Sequence, residues 1–181
     1  MDFLIASDLH GSKEASEKLV SLDKKCNFEK IILLGDIGYS GARNIPPKDY
    51  SPLEVYENLE KIKEKLIVIR GNWDSRVDEM VLGIKFEDIT RLSVGKYNLI
   101  LTHGDLFNED NVPLKENDIL FYGHTHVYIL KEVDGYYVIN PGSITLPKYN
   151  KEKTYIIVNF DDQIISLYSI EDKLIAQLKL N

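Results

Sequence analysis

The sequence predicts an α/β protein, a four-layer α/β/β/α sandwich of two mixed sheets flanked by helices. Three observations carry this. The first third of the chain alternates short apolar runs with amphipathic segments. The rest reads almost entirely as strand, mostly antiparallel. The polar residues fit for chemistry fall directly after apolar runs. Two sheets packed face to face with helices outside bury all of these apolar faces. One domain over residues 1–181 is expected, long enough to bury roughly 70% of the surface its unfolded chain exposes.

In order, residues 3–6 form an apolar run ending in Ser7-Asp8-Leu9-His10-Gly11. Ser12 then reads as a helix N-cap, and Leu19, Val20 and Leu22 give an apolar face to a helix reaching about Lys25. A second buried strand over 31–34 runs into Gly35-Asp36. Residues 37–51 hold Gly38, Gly41, Pro46 and Pro47 without periodicity, and a loop of that length in a compact domain is usually functional. Ser51-Pro52 reads as N-cap and first helical residue, with Val55, Leu59 and Ile62 marking a helical face to about Lys65. A third strand, 66–69, ends in Arg70-Gly71-Asn72-Trp73-Asp74. Strands follow over 86–94, 97–101, 119–122, 127–133, 136–139, 154–160, 164–170 and 174–180. Gly95-Lys96, Asp134-Gly135 and Asp161-Asp162 read as hairpin turns. No internal repeat, linker or low-complexity segment interrupts the pattern.

Composition narrows the function classes. With 44% hydrophobic and 28% charged residues, the chain reads as an ordinary soluble globular protein. No apolar stretch approaches the ~18 residues of a membrane span. The N-terminus lacks a basic leader and its apolar run is too short for a signal peptide, so a cytoplasmic location is the default expectation. Cys26 is the single cysteine, which excludes an internal disulfide and a thiolate metal cluster; packing is a commoner fate for it than reactivity. A net charge of −7 gives no general attraction to nucleic acid or anionic membranes. A phosphate-bearing substrate would therefore require local positive charge.

The ligand candidates supply a source for it. Asp8 and His10 follow the first strand, Asp36 the second and Asn72 the third. His103 follows 99–102, and His124 and His126 follow 119–122. All four histidines in the chain lie past apolar runs, beside or near glycine. In open α/β sheets, ligands collect beyond the carboxyl ends of strands. Each placement alone has a plainer explanation: two surface histidines in a turn, a helix cap, a Gly-Asn turn. Together they point to one site. Oxygen and imidazole donors without sulfur suit Mn²⁺, Fe or Zn²⁺. Seven candidates exceed the needs of one ion and suit two ions sharing a carboxylate, the arrangement of two-metal phosphoryl-transfer sites. Two divalent ions offset by Asp8, Asp36 and one hydroxide leave about one positive charge, matched to a phosphodiester monoanion.

Asp8-Leu9-His10, Gly35-Asp36, Gly71-Asn72, His103-Gly104 and Gly123-His124-Thr125-His126 resemble, in order and spacing, the block motifs of the calcineurin-like metallophosphoesterases. Gly41-Ala42-Arg43-Asn44, Arg70-Gly71-Asn72-Trp73-Asp74-Ser75 and Asn140-Pro141-Gly142-Ser143 look like the small bacterial and archaeal YfcE-like phosphodiesterases within that family. The resemblance implies that Asp8, His10 and His126 hold one ion, Asn72, His103 and His124 the other, and that Asp36 bridges. It implies two divalent ions, usually Mn²⁺ and sometimes Ni²⁺, Fe or Zn²⁺, with a metal-bridging hydroxide as nucleophile hydrolysing a small phosphodiester. Asn72 and His103 would also steady the phosphoryl oxygens as charge builds.

Many family members carry histidine directly after the counterpart of Asn72, as general acid for the leaving group. Here that residue is Trp73, which cannot donate a proton to an alkoxide, although the YfcE-like group lacks this histidine too. A missing general acid costs about 10²–10⁴-fold with poor leaving groups. Trp73 would stack on a substrate base or pack in the wall. Asp74 is expected to accept hydrogen bonds that orient neighbouring ligands. Arg43 and Asn44 are candidates for gripping the substrate, with a surface ion pair as the alternative for Arg43. Asn140 to Ser143 reads as a turn by composition, with a role in supporting the ligands implied by the resemblance alone, and Tyr122, Tyr136 and Tyr137 read as sheet packing. A phosphomonoesterase and a protein-interaction scaffold like the retromer subunit of this fold are the alternatives, and a homo-oligomer stays open.

Overall fold

Six strands make the first sheet of the computed structural model, which describes residues 1–149 and 151–181, and five make the second. The strands are β1 (Asp2–Ala6), β2 (Lys30–Leu33), β3 (Leu66–Val68), β4 (Ile89–Val94), β5 (Tyr97–Thr102), β6 (Asp118–Phe121), β7 (Ile129–Val133), β8 (Tyr136–Asn140), β9 (Thr154–Asn159), β10 (Ile164–Ser169) and β11 (Leu174–Lys179). The helices are α1 (Lys13–Cys26), α2 (Pro52–Glu60) and α3 (Arg76–Leu82). Sheet order is β11-β10-β9-β1-β2-β3 in the first and β4-β5-β6-β8-β7 in the second. Both are mixed. β1, β2 and β3 run parallel in one sheet, and β5, β6 and β8 run parallel in the other.

The later strands are mostly antiparallel, as expected, with four antiparallel pairs among β4 to β11 against two parallel ones; the second parallel set is the part that expectation did not include. The sequence of β5, β6 and β8 already carries the reason: all three are continuous apolar runs, the signature of strands covered on both faces. Phe3, Ile5, Ile32, Leu99, Ile119 and Phe121 fill the layer between the sheets. Leu4, Ala6, Ile31 and Leu33 face the other way, onto Ala15 and Leu19 of α1 and Val55 and Leu59 of α2. Each such leucine contributes about 1.5–3 kcal/mol on burial.

The expected sandwich of two mixed sheets flanked by helices is present, with α1, α2 and α3 together on the outer face of the first sheet. The outer face of the second is closed by residues 103–117, where Val112, Phe107 and Leu114 pack on Ile100, Leu120 and Val138.

α1 begins at Ser12, whose hydroxyl accepts the Ala15 N–H at 3.2 Å. The second helix is shorter than its periodicity implies: α2 stops at Glu60 and a single 3₁₀ turn, Lys63–Lys65, leads into β3. α3 lies where no helix is expected from the sequence. A capping box announces it, Ser75 with Asp78, but Val77, Met80 and Val81 are exposed and only Leu82 is buried, so the apolar periodicity is absent. The expected strand over 86–94 begins three residues late. Phe86 turns instead into the helix-side core, and Glu87 makes a lone bridge to Ile69. Likewise β7 starts at Ile129 rather than at 127. Among the described residues no helix is long and apolar enough to cross a membrane.

Candidate metal centre

The two parallel sets end at the same edge of the sandwich, and six connections leave it there. Asp8 and His10 follow β1, Asp36 follows β2, Asn72 follows β3, His103 follows β5, and His124 and His126 follow β6. The structure brings all seven expected residues together. Asp8, His10, Asp36, His103 and His126 are buried, His124 is half-buried and Asn72 is exposed at the mouth.

The backbone at this edge is held in an unusual state. Asp8, His10, Asp36, His124 and His126 all have φ between +49° and +63°. Left-handed residues other than glycine cost energy and persist only where surrounding contacts over-determine them. Those contacts are present: Asp8 N donates to Gly35 O, His10 N to Asp36 O, and Gly123 N to His103 O, at 2.8–3.1 Å. Gly35 is required twice over, since its φ is +96° and a Cβ there would lie 2.7 Å from both the Gly71 Cα and His103 Nδ1.

Three imidazoles are fixed by carbonyl oxygens. His10 Nδ1 donates to Tyr39 O (3.0 Å), His103 Nδ1 to Leu34 O (2.6 Å) and His126 Nδ1 to Leu146 O (2.6 Å). A carbonyl only accepts, so each Nδ1 carries a proton and each Nε2 points inward, where the neutral ring presents a lone pair. His10 Nε2 and His126 Nε2 face one another at 3.1 Å. Two lone pairs at that distance are stable only around a positive centre, a proton or a metal cation. Asp8 Oδ1 is 3.2 Å from His126 Nε2 and 3.7 Å from His10 Nε2, and it is buried without a hydrogen-bond partner. The second cluster is Asn72 Oδ1, 3.1 Å from His103 Nε2 and 2.9 Å from His124 Nδ1. Asp36 Oδ2 lies between the clusters, 3.8 Å from His10 Nε2 and 3.5 Å from His103 Nε2. This donor set fits divalent cations: Asp8, His10 and His126 form one group able to hold an ion, and Asp8, Asp36 and His103 another.

Charge is strongly biased here. Burial opposes ionisation of Asp8, but the adjacent His126 and the charges of the surrounding imidazoles hold its carboxyl at about 2. Burial also opposes the His103 cation, while Asp36 and Asp8 raise it to about 9. Burial pushes His10 and His124 below the ordinary histidine value; His126 is held above it by Asp8 against the same burial.

Asp74 touches none of the imidazoles. Its carboxylate accepts the backbone N–H groups of Asp36, Ile37 and Gly71, each at 2.8 Å, and so ties the β2 loop to the β3 loop. Burial pushes its carboxyl up to about 6 against those three bonds. Asp36 spends its other oxygen on the Trp73 N–H (3.0 Å).

A cleft of about 440 Å³ opens over the cluster, lined by Asp36, Arg43, Asn44, Asn72, Trp73, His124, His126 and Lys148. Asn44 turns its amide back onto Ser40 O (2.7 Å), and the Trp73 ring meets Tyr39 edge to face at 5.7 Å. Arg43 makes no ion pair among the described residues.

Sequence reasoning missed one contribution and left another to resemblance. Lys148 lines the cleft, its N–H bonded to His126 O at 3.3 Å, and nothing in its surroundings in sequence marks it. The Asn140 to Ser143 segment, a turn by composition, has the supporting contacts that the resemblance implied. Asn140 Nδ2 donates to Gly123 O (2.8 Å) and Thr125 Oγ1 (3.1 Å), and Ser143 Oγ donates to Asp8 O (2.8 Å), bracing two ligand loops. The signal was available: Asn140 also follows an apolar run, at the end of a sixth parallel strand.

Comparison with known proteins places this geometry in a family. Residues 1–163 match the calcineurin-like phosphoesterase superfamily domain. The chain is 36% identical over 184 aligned residues to phosphodiesterase YfcE of Escherichia coli K12, covering 100% of this chain and 99% of that protein. A solved structure of E. coli YfcE, described as a phosphoesterase, superimposes with a TM-score of 0.95 at 35% identity over the full length of both chains. Vacuolar protein sorting-associated protein 29 of Schizosaccharomyces pombe is 26% identical over 153 residues, 78% of this chain and 71% of that one. With a family match over most of its length and the ligand motifs gathered at one edge, the chain belongs to the calcineurin-like phosphoesterase superfamily.

Proposed function

We propose that this chain, as one domain over residues 1–181, is a phosphodiesterase that works with two divalent ions, manganese foremost, on small phosphodiesters. Asp8, His10 and His126 hold one ion, Asn72, His103 and His124 the other, and Asp36 is shared. The observation that carries this is the orientation of the donors: three Nε2 atoms are aimed inward by carbonyls behind them, and an unpartnered buried carboxylate oxygen faces two of them. When bound, a pair of divalent ions supplies a water nucleophile at neutral pH and offsets charge on the phosphoryl group. The chain's own part is to orient and to exclude. Asp36 and Asp8 set the negative charge of the floor, the Asn72 side chain and His103 steady the phosphoryl oxygens, and Arg43 and Asn44 grip the ester from the rim.

Manganese-loaded protein is expected to hydrolyse bis-p-nitrophenyl phosphate faster than p-nitrophenyl phosphate. A reversed preference would make it a monoesterase. Hydrolysis of neither, with metal verified as bound, would overturn the enzymatic reading.

One observation favours a second reading, an interaction platform. Leu53 of α2 and Met80 and Val81 of α3 are 53–80% exposed and border a groove that shares no residue with the cleft. Metal binding at full stoichiometry without esterase activity would move the conclusion to this reading.

A further inference from the structure

We propose that the cleft is built for a diphosphate diester carrying an aromatic group, that is, for a phosphoric anhydride rather than a simple diester; this rests on the phosphodiesterase reading above. Arg43 and Lys148 come from separate connections yet line one cleft, where Asp36 on the floor is the only acidic side chain among the described lining residues. Elsewhere Lys13, Lys18, Lys65, Arg70, Lys131 and Lys153 each pair with a carboxylate, while other cations such as Lys24, Arg76 and Arg91 stand without an ion pair among the described residues; what sets Arg43 and Lys148 apart is that they share one cleft. Arg43 and Lys148 have no such partner among the described residues. On a chain of net charge −7, two unpaired cations at one opening are a local excess. The floor with its ions already matches one phosphodiester monoanion, so the rim charges want a counter-charge that a second phosphate brings.

The leaving group points the same way. Trp73 stands directly after Asn72, and an indole cannot protonate a departing oxygen. An alkoxide of basicity comparable to hydroxide, about 15.7 for water, would leave slowly without a proton. A phosphate monoester, with its second ionisation at about 6, needs none. In the reaction, a water oxygen forms the new P–O bond and the P–O bond to the bridging anhydride oxygen breaks. The electron pair stays on that oxygen, which becomes a terminal oxygen of the departing phosphate monoester. Both water protons pass to solvent. Trp73, half-buried, lines the cleft beside the rim cations and is supported from behind by the 46% exposed Tyr39, so its indole can stack on an aromatic group of the ester.

The test compares P¹,P²-di(adenosine-5′) diphosphate with bis-p-nitrophenyl phosphate on the metal-loaded full chain. The diphosphate is expected to be cleaved to two molecules of AMP. Lys148→Gln should lower the ratio of the two kcat/KM values about tenfold, and Lys148→Arg should restore it to within about threefold of the parent. Calorimetry with adenosine 5′-(α,β-methylene)diphosphate should give a Kd weakened about tenfold by Lys148→Gln. Cleavage of bis-p-nitrophenyl phosphate without cleavage of the diphosphate would overturn the substrate class and leave the phosphodiesterase reading standing. Cleavage of neither with metal bound would overturn both. An unchanged ratio in Lys148→Gln would overturn the recognition of a second phosphate by the rim.

Discussion

The floor of the cleft and its rim are built on opposite terms. On the floor Asp8 and His10 are 0% exposed, His103 1% and Asp36 2%. Three of its imidazoles are bonded from behind, and Asp74 locks two of its loops through three backbone N–H groups. On the rim Arg43 and Lys148 are exposed, Ile45 is 87% exposed, and the Asn44 side chain has a single internal bond among the described residues. An over-determined floor can hold five left-handed residues in place, and it fixes the chemistry. A loosely held rim decides which ester reaches that floor.

The sharpest way to break the comparison is at the shared carboxylate. Asp36→Asn keeps an oxygen for the Trp73 N–H but replaces a negative charge between the clusters with an N–H donor facing lone pairs. Activity is expected to fall on the order of 10³-fold, and elemental analysis should find both ions depleted. Loss of one ion alone would contradict the shared role. Next in size is Asp74→Ala, which removes no proposed ligand. It strands three N–H groups, should cost upward of about 2 kcal/mol in urea unfolding, and should weaken metal affinity about 10–100-fold. Unaltered affinity would mean the floor does not depend on this brace.

Much of the floor was legible in the sequence, because burial and chemistry left the same mark there. A strand covered on both faces is a continuous apolar run, and a ligand at its carboxyl end falls within two residues of that run; Asp8, Asp36, His103 and His124 are all found this way. Where the two marks separate, sequence reading fails. Lys148 acts through its position over His126, set by a long-range backbone bond, and no local pattern encodes that. α3 escaped because its apolar residues face solvent, so a capping box stood without periodicity. The parallel pairing of β5, β6 and β8 was missed because hairpin turns were readable and crossovers were not.

Metal removal sharpens the comparison at an intermediate scale. Ions bound only by the folded chain stabilise it by mass action, about 2.7 kcal/mol at a hundredfold excess over Kd. For a chain of this size that corresponds to about 5–10 °C in Tm. Chelation should therefore lower the melting temperature by that amount, and readdition of manganese should restore it. An unchanged curve after verified removal would show that the floor is held by its own hydrogen bonds alone.

The smallest effect belongs to the rim, and Gly41→Ala isolates it. Gly41 has φ +86°, and a Cβ there would lie 2.7 Å from Cε2 of Trp73. The substitution must strain the backbone by about 1–2 kcal/mol or push the indole away. Neither response reaches the ligands directly, since the Trp73 backbone N–H, not its ring, contacts Asp36. KM for an aromatic diester should rise a few-fold, about 1 kcal/mol or less in binding. Metal occupancy and the chelation-dependent shift in Tm should stay as in the parent. If occupancy fell with KM, the indole would be part of what holds the floor together, and the division between a rigid centre and an adjustable mouth would have to be redrawn with Trp73 on the inner side.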